Sequence, residues 1–255
     1  MIDIHNHVLI NVDDGPKDEE EMLKLLKQGK DEGVTDIIVT PHHLSPAFDN
    51  EYKIVEGKLQ QLLNLDKVKE LGINLYPGQE IRISDQIIPQ LEKGEAIGLN
   101  RSKYLLIEFP SGGVPHYTNR LFFELQSKGY VPIIAHPERN KEISQNLDVL
   151  FELVNEGALS QLTSASLLGK HGKKIQKISL QMMDNNLAHF IASDAHHETN
   201  RPFFMDSLFK EKKLKDYEGK IKEMINNAQV IIKNEEIKKK QPSQSYNQKK
   251  LFGLF

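Results

Sequence analysis

Five histidines and four carboxylates in this 255-residue chain fall in a positional pattern: His5, His7, Asp14, His42, Glu80, Glu108, His136, Asp194 and His196. Imidazole nitrogens and carboxylate oxygens are donors for divalent cations, and no cysteine is present to compete with them. Crowded carboxylates without cations repel and raise one another's pKa values. Nine donors exceed what a single catalytic zinc uses, so two or three ions sharing bridging carboxylates are expected. Such a centre keeps a net positive charge, suited to a phosphate dianion. Arg139 in "HPER" and Arg201 in "HETNRP" add planar guanidinium forks that match phosphate oxygens. The chemistry read from the residues is metal-dependent hydrolysis of a phosphoester.

Positioning these groups requires a scaffold with one polar rim. Short β-branched runs alternate with amphipathic stretches, and the expected strands are Ile2–His7, Asp36–Thr40, Asn74–Glu80, Tyr104–Glu108, Val131–His136, Ala158–Leu162 and His189–Ser193. Helices are expected over Lys17–Glu32, Tyr52–Leu71, Tyr117–Lys128, Leu147–Asn155 and Lys170–Asn185, with Gly33 closing the first. Alternation of this kind predicts a parallel sheet with crossover helices, and at this length closure into an α/β barrel. His5 and His7 share a strand face through their period-2 spacing. Asp14 follows the first strand, and the other candidates sit at or beyond the C-terminal ends of theirs. That rim is where barrels gather catalytic groups.

Composition narrows the function classes. The formal net charge of -3 lacks the basic excess of a nucleic-acid-binding surface. Without cysteine there is no disulfide framework, no thiolate nucleophile and no Cys-ligated zinc. No stretch reads as a signal peptide or a membrane span, so a cytoplasmic location is expected. Charged helical segments run on to about Ile237, giving a phosphatase domain over 1–237. The stretch 238–255 reads as a disordered tail, with docking of its apolar tip, Leu251–Phe255, as the sharper alternative.

Local ambiguities remain at this level. In "DDGP" either aspartate could reach a metal, and the motif also reads as turn and cap chemistry. His43, His171, His189 and His197 are expected to be bystanders, with His171 on a helix. His116, in the glycine-rich "SGGVPHY", could reach substrate, and Gln161 and Thr163 face unknown partners.

The set "DIHNH", "DDGPKD", "TPHH", "PGQEIRI", "LLIEFP", "IIAHPERN" and "ASDAH" resembles the bacterial PHP-type (polymerase and histidinol phosphatase) protein-tyrosine phosphatases of capsule and exopolysaccharide operons. The resemblance spans roughly residues 1–237. It implies a distorted (β/α)7 TIM-like barrel with a trinuclear centre, most often manganese, with iron or zinc as alternatives. His5, His7, Glu80 and Asp194 would hold one ion, and Glu80 would bridge to a second held by Glu108 and His136. Asp14, His42 and His196 would serve the third. The resemblance thus favours Asp14 as the ligand and leaves Asp13 as the turn residue. Arg139 and Arg201 would bind the phosphoryl group, and a metal-bridging hydroxide would attack phosphorus in line. The implied substrate is the phosphotyrosine tail of a bacterial tyrosine kinase. A small metabolite such as histidinol phosphate, or a non-catalytic docking module, are the competing readings.

Overall fold

The computed structural model describes residues 1–247. In chain order the elements are β1 (Ile2–Asp3), α1 (Glu19–Asp31), β2 (Asp36–Ile38), β3 (His42–His43), α2 (Tyr52–Asn64), α3 (Asp66–Leu71), β4 (Asn74–Tyr76), β5 (Glu80–Arg82), α4 (Ile87–Lys93), β6 (Tyr104–Glu108) and α5 (Thr118–Ser127). There follow β7 (Val131–Ala135), α6 (Lys141–Gln145), α7 (Asp148–Asn155), β8 (Leu159–Thr163), α8 (Ser164–Leu167), α9 (Lys173–Asp184), β9 (Phe190–Ala192), α10 (Ser207–Lys210), α11 (Glu218–Asn226) and α12 (Ala228–Lys233). No helix among the described residues is long and apolar enough to cross a membrane.

The α/β architecture with parallel strands is present. The strands, however, hydrogen-bond as two sheets, ordered β1-β2-β4 and β3-β5-β6-β7-β8-β9, rather than as one closed ring. Two of the expected strands depart from their expected course. The run Asn74–Glu80 gives β4 and the start of β5 on either side of Pro77–Gly78, while Asp36–Thr40 is shortened to β2 and is followed, beyond Pro41, by the unexpected short strand β3. Proline supplies no ladder N–H. Gly78 packs so closely that a Cβ there would lie 2.8 Å from Ile38 Cγ2. At both places the chain therefore passes from one sheet into the other. The first strand is shorter than expected, but its continuation still pairs. Asn6 bridges Ala195 in parallel, His7 N–H donates to Ala195 O, and Asp194 N–H donates to His5 O.

Alternation along the strands divides the apolar residues into two cores. Leu105, Ile107, Ile134, Leu162 and Ile191 face the helices and join the larger core, together with Met22, Leu25 and Leu26 of α1. Tyr104, Leu106, Ile133, Leu159, Phe190 and Ala192 form a smaller core on the opposite strand face, with Ala228 and Ile231 of α12. Glu108 continues the Tyr104–Leu106 face, so the strand passes from apolar packing to chemistry within two residues.

Among the helices, α1 is capped by Asp18, which accepts Glu21 N–H, and Gly33 follows its end at φ +78°. The expected helix over Tyr52–Leu71 is interrupted, because Leu65 is extended (ψ 121°) between α2 and α3. His171 lies in the turn between α8 and α9, not on a helix, since Gly169 and Gly172 both take positive φ around it. Beyond Ile237 the described chain runs back over the body. Ser245 N–H donates to Asn185 Oδ1 at 2.7 Å, and Tyr246 Oη to Asp148 Oδ1 at 3.0 Å. Residues 248–255, including the Leu251–Phe255 tip, lie outside the described residues.

Candidate metal centre

All nine candidate donors converge at one mouth. Four overlapping groups have ligand atoms close enough to share an ion: His7, Asp14, His42 and His196; His5, His7 and Glu80; His5, His136 and Asp194; and His42, Glu80 and Glu108. His5 and His7 come from the segment after β1, His42 and Glu80 open β3 and β5 in register, and Glu108 ends β6. His136 and Asp194 follow β7 and β9 with φ of 33° and 56°, a left-handed conformation that side chains other than glycine rarely adopt. For His136 the strain is compounded, because Pro137 disfavours helical conformations before it. Such backbone costs about 1–3 kcal/mol per residue and persists where the surroundings impose it. Here it turns both donors off their strand ends into the mouth.

His136 Nε2 is hydrogen-bonded to Glu80 Oε1 at 2.8 Å, but most of the other donor atoms stand farther apart than in well-formed hydrogen bonds. His5 Nε2 lies 3.2 Å from Glu80 Oε1 and 3.4 Å from Asp194 Oδ1. His7 Nε2 lies 3.4 Å from Glu80 Oε2, 3.5 Å from Asp194 Oδ1 and 3.4 Å from His5 Nε2. Donors about 2.1 Å from a common ion stand roughly 3.0–3.5 Å apart in tetrahedral or octahedral arrangements. His42 Nδ1 and Glu80 Oε2 are 2.8 Å apart, yet neither is aligned for a hydrogen bond, and His196 Nε2 is likewise buried without one. Buried polar atoms are rarely left so. Lone pairs aimed at shared points, with no sulfur among them, fit divalent cations.

The other ring nitrogens are held from behind. Gln161 Oε1 lies 2.8 Å from His5 Nδ1, and the His196 Nδ1 lies 2.9 Å from the carbonyl of Asp194. Asp13 Oδ2 lies 2.7 Å from His7 Nδ1 and also accepts the N–H of His42, while its Oδ1 accepts Gly15 N–H. These contacts leave Nε2 of the three rings facing the mouth, the arrangement that orients metal-binding imidazoles. Asp13 is thus more than a turn residue. Its burial would have been hard to foresee, but its spacing from His7 was visible.

Electrostatics follow the packing. Burial would raise the Glu80 carboxyl, but His5, His42 and a hydrogen bond from His136 hold it well below the usual range. Against the same burial effect, Arg139 and then His5 hold Asp194 down. Burial and the neighbouring Arg139 push His136 down to about 4; burial and the neighbouring His7 do the same to His196. Burial and the Glu80 charge raise Glu108 in spite of Arg82.

Arg139 and Arg201 both reach this mouth, with guanidinium nitrogens 2.7 and 2.9 Å from Asp194 Oδ2. Asp194 therefore turns one oxygen to the imidazoles and the other to the arginines. The cavity has a volume of about 380 Å³ and is lined by both arginines with Asp14, His42, Glu80 and Glu108. Arg82 was not anticipated: its Nη1 donates to Glu108 Oε2 at 2.8 Å. Its place two residues after Glu80 on one strand face was the available signal. Glu138 does not act as the main partner of Arg139. Its Oε1 accepts the N–H and hydroxyl of Thr163 instead.

The bystander histidines are spread differently. His43 is buried against Gln90 and Asp49, His189 accepts Ser160 N–H at Nδ1, and His197 pairs with Glu198. His116 is exposed on the loop after β6, outside the donor cluster.

Comparison with known proteins places this geometry in context. Residues 1–233 match the family described as capsular polysaccharide synthesis, CpsB/CapC. The chain is 58% identical to CapC of Staphylococcus aureus over 254 residues, with 100% of both chains covered. It is 42% identical to the tyrosine-protein phosphatase YwqE of Bacillus subtilis, again with 100% of both covered. A solved structure superposes with a TM-score of 0.89 at 40% identity, covering 95% of this chain and 98% of that one. It comes from work on YwqE of Bacillus subtilis and CpsB of Streptococcus pneumoniae, described as unique metal-dependent tyrosine phosphatases.

Proposed function

Because the chain belongs to the CpsB/CapC family of capsular polysaccharide synthesis, we propose that it is a metal-dependent protein-tyrosine phosphatase acting on a bacterial tyrosine kinase that controls capsule or exopolysaccharide synthesis. The observation that carries this reading is the set of overlapping donor groups with buried, unpartnered lone pairs, beside two arginines. His5, His7, Glu80 and Asp194 would hold one divalent ion; Glu80, Glu108 and His136 a second; and Asp14, His42 and His196 a third. Mixed nitrogen and oxygen donors without sulfur suit manganese, iron or zinc, and the family resemblance makes manganese the first choice. When bound, such ions supply positive charge to phosphoryl oxygens and make water a usable nucleophile at neutral pH.

The chain's own residues do the rest. Arg139 and Arg201, already converging on one oxygen of Asp194, are placed to exchange that contact for phosphoryl oxygens and to orient phosphorus in the mouth. Asp13, Gln161 and the Asp194 carbonyl keep the imidazoles pointed inward, so little reorganisation accompanies substrate entry. We read the two sheets as one distorted seven-fold barrel wall, supported by the pairing of Asn6 with Ala195 and by the shared rim of donors. Residues 1–237 are the catalytic unit, and the cytoplasm, where the kinase tail would be met, is its location.

The test is direct. Protein stripped with chelator and reloaded with manganese should release phosphate from a phosphotyrosine peptide, and not from a phosphoserine peptide or histidinol phosphate. Turnover of histidinol phosphate alone would reassign the substrate, and turnover unaffected by chelator would overturn the metal centre.

A further inference from the structure

A cavity larger than the mouth opens beside it. A groove of about 780 Å³ lies between the segment that follows β5 and the segment that leads into α5, with Ser84, Asp85, Ile88, His116, Arg120 and Leu121 among its walls. It is roughly twice as large as the mouth, and its two walls have a common origin. They continue the strands that carry Glu80 and Glu108, and those strands pair with Arg82 opposite Glu108, so both walls leave the rim side by side. Tyr117 Oη donates to Ile83 O and ties one wall to the other. Arg82, two residues before Ser84 of the groove, is bonded to Glu108 and to the carbonyl of Phe109, both of which line the mouth. Phe109 lines the mouth, and the same loop reaches the groove seven residues later at His116.

Resting on the phosphotyrosine reading above, we infer that this groove is the subsite for the polypeptide flanking the phosphotyrosine. A small phosphate ester is used up within the mouth and has nothing to place there. A phosphotyrosine whose phosphate reaches the donor cluster holds its own backbone at the rim, and one flank then passes between Ser84 and His116. The floor offers apolar surface from Ile88 and Leu121, enough for one aliphatic or aromatic side chain. The walls offer the exposed carboxylate of Asp85 to a cationic neighbour, while Arg120 is engaged with Glu124 at 3.6 Å. The occupant is therefore an extended peptide with an apolar and a basic residue on one side of the phosphotyrosine.

The manganese-loaded full chain tests this with two probes, a phosphotyrosine peptide of that pattern about eleven residues long (at roughly 3.3–3.6 Å per extended residue, enough to run past the groove from the phosphotyrosine) and free phosphotyrosine. Ile88→Glu and Ser84→Trp, which charge and fill the groove, should each lower kcat/KM for the peptide by about tenfold or more, leaving free phosphotyrosine unchanged. Losses that are parallel on both probes, or absent on both, overturn the subsite. Failure of the native protein to hydrolyse either probe instead overturns the underlying phosphatase reading. Because the chain has no cysteine, Arg120→Cys places a unique thiol on the groove wall. A peptide carrying a non-hydrolysable phosphonate should slow its maleimide labelling, and the free phosphonate amino acid should not. Equal labelling with and without the peptide would also overturn the inference.

Discussion

Asp13 shows how much a single unligated residue can contribute to a donor cluster. It is almost fully buried, and its carboxylate bonds three partners, the ring of His7 and the backbones of His42 and Gly15. Burial would raise its carboxyl, but His7 keeps it below the ordinary value and hence ionised. A charged acceptor behind an imidazole raises the basicity of the opposite nitrogen, and removal of such partners weakens metal binding by about 10–100-fold. Asp13→Asn, which keeps the shape and removes the charge, should therefore bind manganese at least about tenfold more weakly in chelator competition. Unchanged affinity would reduce Asp13 to a turn former. The neighbouring Asp14 faces the other way: it is half-exposed, with Oδ1 3.1 Å from His196 Nε2 and Oδ2 3.4 Å from Arg201. Adjacent aspartates of identical chemistry are separated in role by which way the loop turns them.

The loop after β1 is held by sterics as well as by hydrogen bonds. At Gly15 an added Cβ would stand 2.1 Å from the carbonyl oxygen of His7. Any side chain must push the "DDGP" turn away from the segment carrying His5 and His7. Gly15→Ala should thus cost about 1–3 kcal/mol of stability in the metal-free protein, the usual scale of overpacking. It should also displace Asp13 and Asp14 and lower the manganese content after reloading. A native melting temperature with native metal content would show that the loop relaxes freely. The glycine-rich loop after β6 is pinned in a comparable way. Asn140, next to Arg139, caps α6 by accepting Ile143 N–H and donates to the carbonyls of Pro110 and Gly113. The strand ends were legible from β-branched runs closed by polar residues. The breaks at Pro41 and Pro77–Gly78 were less so, because proline interrupts pairing locally while the chain direction continues.

Over the whole molecule, chemistry is concentrated at one rim and stability is drawn from the rest. Just before β9, at the end of the strand opposite the one that leads to Asp194, His189 is buried, with Nδ1 accepting Ser160 N–H. Burial, with a smaller contribution from Lys239, pushes it down to about 3. Below about pH 6.5 the unfolded chain protonates this histidine while the folded protein does not, so the unfolded state binds more protons and stability falls with falling pH. The loss starts near pH 6.5 and continues towards pH 3, reaching about 2 kcal/mol at pH 5. His189→Asn preserves an acceptor for Ser160 and should lack this component. Its stability relative to the native protein, from urea unfolding at pH 7 and pH 5, should improve as the pH falls. A constant difference would mean that His189 is not held neutral. Removing the His189 imidazole tests the scaffold without touching the donors.

Residue types and order determined the donor set, because alternation on strands and placement at strand ends are local properties. "HNH", "TPHH", "PGQE", "LLIEFP", "AHPER" and "SDAH" are legible in the sequence alone as contributions to one rim. The α/β character was equally local, following from the period of apolar residues. Only the tertiary structure decided which aspartate of "DDGP" stands behind His7, that Gln161 supports His5, that Arg82 holds Glu108, and that the strands divide into two sheets. Each of these depends on contacts between residues far apart in the chain, or on close packing against another element. Periodicity carries no information about either.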